Sequence, residues 1–349
     1  MPRPEVSEHA DLAGLSTFRL PARAAQLVVL DQLEQLPELA VRAGAPGDRL
    51  ILGGGSNTVF LDDWPGQVVL NRLRGVATET LSPDRVRVRV AAGESWHRLV
   101  RWCLDQKLYG LENLILIPGL VGAAPMQNIG AYGVELADVL ESVTVWDWSR
   151  QASAEIPAAE CGLAYRDSRF KSSERGRFLI TAVAFRLSRT FRPVLGYRSL
   201  ADALAERPLS DPRPRQLAAT IMRLRRRRLP DPARLANAGS FFKNPVVSPD
   251  QARSLLCEHP DLPHWRLADG RVKLAAGWMI EQLGWRGHRI GDAGVHEHHA
   301  LVLVNHGRAS AGQLAELIGV LRQSVRTVFG VVLEPEPQLI GWSENEKRG

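Results

Sequence analysis

Two short segments far apart in the chain each set one proton-handling side chain on a stiff stretch. In Asn237-Ala238-Gly239-Ser240-Phe241-Phe242-Lys243-Asn244-Pro245, Ser240 stands between a glycine and two aromatics. A serine hydroxyl is a poor acid in water, yet it can deliver a proton when held beside a strongly basic carbanion or enolate. No Gly-x-Ser-x-Gly elbow is present, which disfavours a hydrolase nucleophile. Taken alone, the segment reads more readily as a strand-turn serine satisfied by backbone. In Leu333-Glu334-Pro335-Glu336, Glu334 can orient or relay a proton.

Other segments suit ligand binding. Ile51-Leu52-Gly53-Gly54-Gly55-Ser56-Asn57 is a strand running into glycines, whose backbone can approach a pyrophosphate and point several N–H groups at it. Thr58-Val59-Phe60 then reads as a strand, and a Rossmann site would need a helix there. Ile117 to Gly133 is rich in small residues, with the amides Gln127 and Asn128 in its middle. Such a stretch can lie flat against a planar heterocycle; the plainer reading is a long irregular loop. In Tyr165-Arg166-Asp167-Ser168, Arg166 can bind a carboxylate through two hydrogen bonds or pair with Asp167. Arg223-Leu224-Arg225-Arg226-Arg227-Arg228 suits nucleotide phosphates at one or two positions, or nucleic acid, or a solvated helix face. No aromatics interleave there, which weakens the nucleic-acid reading. His296-Glu297-His298-His299 has no third ligand at a recognised spacing, so no metal site is expected.

The elements that must position these residues fall in three stretches. Leu27-Val28-Val29-Leu30 predicts a strand, with Asp31 and Glu34 boxing the next helix. Val86, Val88 and Val90 alternate with arginines as a half-exposed strand, and Ser95 caps a helix burying Trp96, Leu99, Val100 and Cys103. Further strands are expected at Val143 to Trp146 and Phe178 to Val183. Pro193 to Pro214, with Pro208 and Pro212 inside, reads as loop, and Leu217 to Leu229 as a helix stopped by Pro230 and Pro232. Beyond it, Ser248 starts a helix, and Val272 to Leu283 reads as another. Ala300 to Val304 follows as a strand. Ser310 and Gln313 box a last helix ending at Gly330, and Val331-Val332-Leu333 is a strand carrying Glu334.

The chain has 349 residues, enough for two or three domains. At 45% hydrophobic and 23% charged it has the balance of a soluble globular protein, and its net charge of +6 suits anionic ligands. Cys103, Cys161 and Cys257 are widely spaced and odd in number, which argues against a disulfide framework. No signal peptide or membrane span is read, so a cytoplasmic location and no membrane partner are expected.

In this order the motifs resemble UDP-N-acetylenolpyruvoylglucosamine reductases, flavoenzymes of peptidoglycan precursor synthesis. The resemblance covers Ser16-Thr17-Phe18 to Ile340-Gly341 and includes Leu229-Pro230-Asp231-Pro232 and Lys273-Leu274-Ala275-Ala276-Gly277-Trp278. It implies an α+β chain with a vanillyl-alcohol-oxidase-like (PCMH-type) FAD-binding fold and a separate α+β substrate-binding domain. The expected division is 1–70, joined by 331–349, as one FAD-binding subdomain, 71–228 as the second, and 229–330 for substrate. It implies reduction of UDP-N-acetylglucosamine enolpyruvate to UDP-N-acetylmuramate, with FAD as cofactor and NADPH as hydride donor sharing one cleft with the substrate. Ser240 matches the proton donor, Arg166 the cation on the substrate carboxylate, and Glu334 the partner acid. Gly53, Gly54, Gly55, Ser56 and Asn57 match the FAD pyrophosphate loop. Pro118, Gly119, Gly122, Gln127, Asn128, Gly130, Ala131, Tyr132 and Gly133 match the flavin wall. Tyr165, Tyr197, Arg228, Asn244 and Trp265 fall at substrate positions. Leu195-Gly196-Tyr197 sits where the family's longer subtype carries a tyrosine loop. Arg228 replaces a usual lysine and Trp265 an expected tyrosine, departures that bear on nucleotide affinity. A monomer without nucleic-acid partners is expected. A flavin-dependent alcohol oxidase and an arginine-rich nucleic-acid binder are the competing readings.

Overall fold

A computed structural model describes residues 3–42, 48–205 and 213–342. Pro208 and Pro212 of the expected loop, and 343–349 of the expected C-terminal segment, lie outside these residues. Two compact units emerge: Met1–Ala10, Ala24–Gly54 and Pro65–Arg227 form one, and Asp11–Arg23, Gly55–Trp64 and Arg228–Gly349 the other. This differs from the expected three-part division. The stretch after Val331 belongs with the unit that holds 229–330, and the first 70 residues are shared between units.

The first unit holds two larger sheets and a two-stranded ribbon among the described residues. One has the order Glu5–Asp11, Arg23–Leu30, Trp64–Asn71, Arg49–Leu52, its last pair parallel. The other is antiparallel, in the order Ala152–Pro157, Leu140–Asp147, Phe178–Ser188, Arg85–Ala91, Val76–Thr80. In Arg85–Ala91 the valines are buried and alternate with arginines, as the period-two pattern dictates. Helix α1 (Leu36–Arg42) follows a short turn boxed by Gln32 and Gln35 rather than by Asp31 and Glu34. The Gln35 side-chain oxygen accepts the N–H groups of Asp31 and Gln32, and its nitrogen donates to Asp31. Helix α2 (Trp96–Asp105) starts at Ser95, whose hydroxyl accepts the Arg98 N–H. Trp96, Leu99, Val100 and Cys103 of α2 are buried as expected.

Helix α3 (Arg198–Ala205) lies in the stretch expected as loop. Leu200 is buried and Ala203 and Leu204 pack on the same core, a helical i, i+3, i+4 spacing that the flanking prolines obscured. Helix α4 (Pro214–Arg228) begins on a proline, whose missing N–H costs nothing in a first turn.

The second unit contains the antiparallel sheet Ala236–Ser240, Val302–Asn305, Ala293–Val295, Arg289–Ile290. A three-stranded sheet runs Val246–Val247, Val272–Leu274, His264–Arg266, and Gln338–Ile340 pairs in parallel with Thr58–Phe60. Helix α5 (Pro249–Glu258) starts at Ser248, and α6 (Ala276–Gln282) is shorter than expected. Val272-Lys273-Leu274 alternates buried, half-buried, buried and pairs with strands on both sides, so it is extended, not helical. Helix α7 (Ala311–Phe329) carries the Ser310–Gln313 box and ends on Gly330 at φ +61°. Its stripe Leu314, Leu317, Ile318, Leu321 and Val325 is buried, each side chain contributing about 1.5–3 kcal/mol of transfer free energy. Val331-Val332-Leu333 is not a strand. The Leu333 carbonyl accepts from Arg322 Nε of α7 instead of from a neighbouring strand. No helix among the described residues is long and apolar enough to cross a membrane.

Candidate active site

Ser240 ends the strand Ala236–Ser240 at a bulge. Asn237 pairs with Val304 and Ser240 with Val302, so three steps on one strand face two on the other. Gly239 takes φ +74°, a left-handed conformation costly for any residue with a Cβ. Buried Asn237 holds the bulge: Oδ1 accepts the Gly239 N–H, and Nδ2 donates to the carbonyls of Pro230 and Leu235. A bulge re-aims the side chain that follows it. The Ser240 hydroxyl forms no hydrogen bond among the described residues. Phe241 and Phe242 are fully buried and lock the next step.

The Glu334 segment lies alongside. The Lys243 N–H donates to the Glu334 carbonyl at 2.9 Å, the Glu336 N–H donates to the Phe241 carbonyl at 2.8 Å, and Phe242 bridges Pro335. The Lys243 ammonium stands 3.0 Å from the Glu334 carboxylate. Residues nearly a hundred positions apart thus form one hydrogen-bonded ribbon. Asn57 anchors it from a third segment, donating from Nδ2 to the Glu336 carbonyl and accepting the Gln338 N–H. Asn244 turns its side-chain oxygen to the Ala276 N–H, which makes it the cap of α6. Trp265 is half-exposed on its strand, with the Lys273 ammonium 5.4 Å from its ring centre. Arg228 is exposed at the end of α4 and near His299. Burial lowers the His299 pKa, and the charges of Arg228 and His296 add to that.

In the first unit, Arg166 sits at φ +54° in a tight turn closed by reciprocal hydrogen bonds between Ala164 and Asp167. Its Nη2 donates to the Gly130 carbonyl at 3.3 Å, and its guanidinium lies over the Tyr165 ring. Asp167 accepts from the Ser168 N–H and the Ser172 hydroxyl. The expected flat wall is built of short turns, Val121–Ala123 and Pro125–Gln127, and the ribbon Gly130–Ala131 with Val134–Glu135. Pro118, Ala123 and Gly133 are exposed, while Gly119, Gly122, Gln127, Gly130, Ala131 and Tyr132 are half-buried. Gly122 donates to the Ala92 carbonyl, tying the wall to the sheet. Asn128 is buried at φ +43°, donating to Glu135 and the Ala164 carbonyl and accepting from the Ala137 N–H. Its amide is used within the fold. Tyr197, exposed, packs edge-on against Tyr132 at 5.4 Å between ring centres. Buried Asn113 ties the two stretches, donating to the carbonyls of Tyr132 and Val194.

The glycine run divides by role. A Cβ on Gly55 would lie 1.8 Å from the Leu15 carbonyl oxygen, and one on Gly54 would lie 3.1 Å from Gly119 Cα. A Cβ on Gly53 would meet only the Leu120 side chain, at an ordinary 3.7 Å. The chain's own packing therefore requires Gly55, is tight at Gly54 and leaves ordinary contacts at Gly53. Ser56 is half-buried beside them.

The arginine run also divides. Arg226, Arg227 and Arg228 are exposed, whereas Arg225 points inward, its Nε buried with no hydrogen-bond partner among the described residues. Desolvation lowers its pKa; Tyr132 opposes that and Arg166 adds to it. Sequence reasoning did not single out Arg225, although it follows buried Ile221 by four residues, on one face of α4.

The family model "FAD binding domain" matches residues 24–150, and "UDP-N-acetylenolpyruvoylglucosamine reductase, C-terminal domain" matches residues 231–340. The UDP-N-acetylenolpyruvoylglucosamine reductase of Chromobacterium violaceum is 48% identical over 332 residues, covering 95% of this chain and 97% of the relative. That of Dechloromonas aromatica is 44% identical over 336 residues, covering 95% and 98%. The crystal structure of UDP-N-acetylenolpyruvylglucosamine reductase from Thermus caldophilus superposes with a TM-score of 0.66 at 26% identity, covering 97% of this chain and 99% of that one. The residues present fit FAD. The glycine run can turn backbone N–H groups toward a pyrophosphate, and the Arg225 Nε beside Arg166, without a hydrogen-bond partner among the described residues, offers a buried donor to an oxygen-rich or anionic edge. The fold is α+β, with an FAD-binding domain over residues 24–150 and the reductase family's C-terminal domain over residues 231–340. With relatives this similar over nearly its whole length, the chain belongs to the UDP-N-acetylenolpyruvoylglucosamine reductase family.

Proposed function

We propose that this FAD-dependent oxidoreductase reduces UDP-N-acetylglucosamine enolpyruvate to UDP-N-acetylmuramate with NADPH, and that Ser240, Glu334 and Arg166 carry its chemistry. FAD supplies a carrier that accepts and returns hydride, which serine and glutamate side chains cannot do. Adding hydride to an enol ether builds negative charge that the neighbouring carboxylate must absorb. Arg166 takes that carboxylate through its guanidinium. Glu334 polarises the same group or shares a proton with it. Ser240 donates a proton to the carbon bearing the carboxylate. The observation that carries this reading is the ribbon of Ser240 to Lys243 with Glu334 to Glu336, which joins a re-aimed serine to a carboxylate on one rigid piece of backbone.

Tyr165, Tyr197, Arg228 and Trp265 serve the substrate, Tyr197 through its phosphate. Asn244 joins them through its Nδ2, its Oδ1 being held by the Ala276 N–H. NADPH and substrate use one cleft in turn, in a monomeric cytoplasmic enzyme.

The test is anaerobic. NADPH should bleach the flavin band of the holoenzyme, and UDP-N-acetylglucosamine enolpyruvate should restore it with formation of UDP-N-acetylmuramate. Flavin that bleaches and does not return would assign the wrong substrate.

A further inference from the structure

The main chain around Glu334 is pinned on two sides. The Lys243 N–H donates to the Glu334 carbonyl at 2.9 Å. Buried Arg322 on α7 donates from Nε to the Leu333 carbonyl at 3.1 Å. These bonds fix the Cα of Glu334 but not its carboxylate, which ends a flexible side chain that is 70% exposed. Among the described residues the carboxylate has one ion-pair partner, Lys243, with Nζ 3.0 Å from Oε2. The Lys243 side chain is only 27% exposed, so its stem is held while its head reaches out. An ion pair this open to water adds little to stability. What it does add is direction, because the same residue grips Glu334 at both backbone and carboxylate.

We infer that Lys243 is a positioning residue for the reductase reaction, holding the Glu334 carboxylate on the segment that carries Ser240. This rests on Glu334 acting in the reaction. Lys243 follows Ser240 by three residues, with Phe241 and Phe242 fully buried between them. One locked stretch of backbone then sets the places of both the proton donor and its partner acid. An ammonium suits the task because it attracts a carboxylate from many directions without needing a planar fork.

The experiment separates the two half-reactions in holoenzyme that shows its flavin spectrum, a check that each variant is folded. Lys243→Met should slow flavin reoxidation by the enolpyruvate by about 10- to 100-fold, the range for a misplaced catalytic group. Reduction by NADPH should slow at least tenfold less. Lys243→Arg, which keeps the charge, should recover most of the lost rate. In a Glu334→Gln background, Lys243→Met should cost less than about twofold, because the pair acts as a unit. Equal losses in both backgrounds would overturn the inference and show that Lys243 acts on the substrate directly. An unaffected Lys243→Met would overturn it as well. Should Glu334→Gln alone leave reoxidation unchanged, the role of Glu334 itself falls, an outcome distinct from the failure of Lys243.

Discussion

The side-chain oxygen of Asn237 accepts the backbone N–H of Gly239 at 2.9 Å, closing a loop one residue before Ser240. That bond and the φ of +74° at Gly239 decide where the serine points. Nothing lies within 4 Å of a Cβ placed on Gly239, so Gly239→Ala introduces backbone strain without a clash. The expected cost is about 1–2 kcal/mol. Calorimetry should show a modest fall in Tm. Flavin reoxidation by the enolpyruvate should slow further than that fall explains, since a bulge that relaxes turns Ser240 away.

Ser240→Ala should leave a yellow protein that NADPH still reduces. Its reoxidation by the enolpyruvate should slow by about 10²–10⁴-fold, the usual contribution of a general acid. Glu334→Gln should show the same asymmetry between half-reactions. Stopped-flow absorbance of the flavin band reads both, and a near-normal second half-reaction in Ser240→Ala would remove Ser240 from the proton-donor role.

Arg225 carries a charge into a site where its Nε has no hydrogen-bond partner among the described residues. Burying such a group is costly until an acceptor arrives. Arg225→Met should therefore melt at or above the wild-type temperature as apoprotein, while binding FAD about tenfold more weakly, or 1.4 kcal/mol. Titration calorimetry of apoprotein with FAD measures the second effect. An unchanged isotherm would assign the Arg225 donor to another ligand.

Glu112 is buried, and desolvation raises its carboxyl pKa against the opposing hydrogen bonds of its own N–H and that of Gly110. Its folded-state pKa lies above the unfolded value of about 4.3. The stability held by the neutral acid is therefore full below that unfolded value and is lost as pH rises through the folded one. Glu112→Gln keeps an acceptor for the Gly110 N–H, now 2.8 Å from Oε2, and removes the charge. Its Tm should exceed that of wild type at pH 8 by roughly 2–6 °C and approach it near pH 4. A gap constant with pH would show that Glu112 does not titrate between folded and unfolded states.

Local patterns in the sequence determined the helix with Ser95 as its cap, the buried stripe of α7 and the alternating valines of Arg85–Ala91. Each follows from side-chain period and capping chemistry within a few residues. The motifs likewise determined the family and the flavin. Two local readings failed where distant groups supplied the partner. Val331-Val332-Leu333 has strand composition, but its last carbonyl goes to Arg322 Nε. Val272 to Leu274 became a strand because Val246–Val247 and His264–Arg266 flank it. Asn128 joins Glu135 and Ala164, and Asn244 Oδ1 takes the Ala276 N–H, contacts with residues distant in the chain that local patterns do not show. Only the tertiary structure could set Glu334 against Lys243, or choose Arg225 from its run as the guanidinium that points inward. Hydrogen bonds and burial join residues by distance in space, which neither composition nor spacing along the chain records.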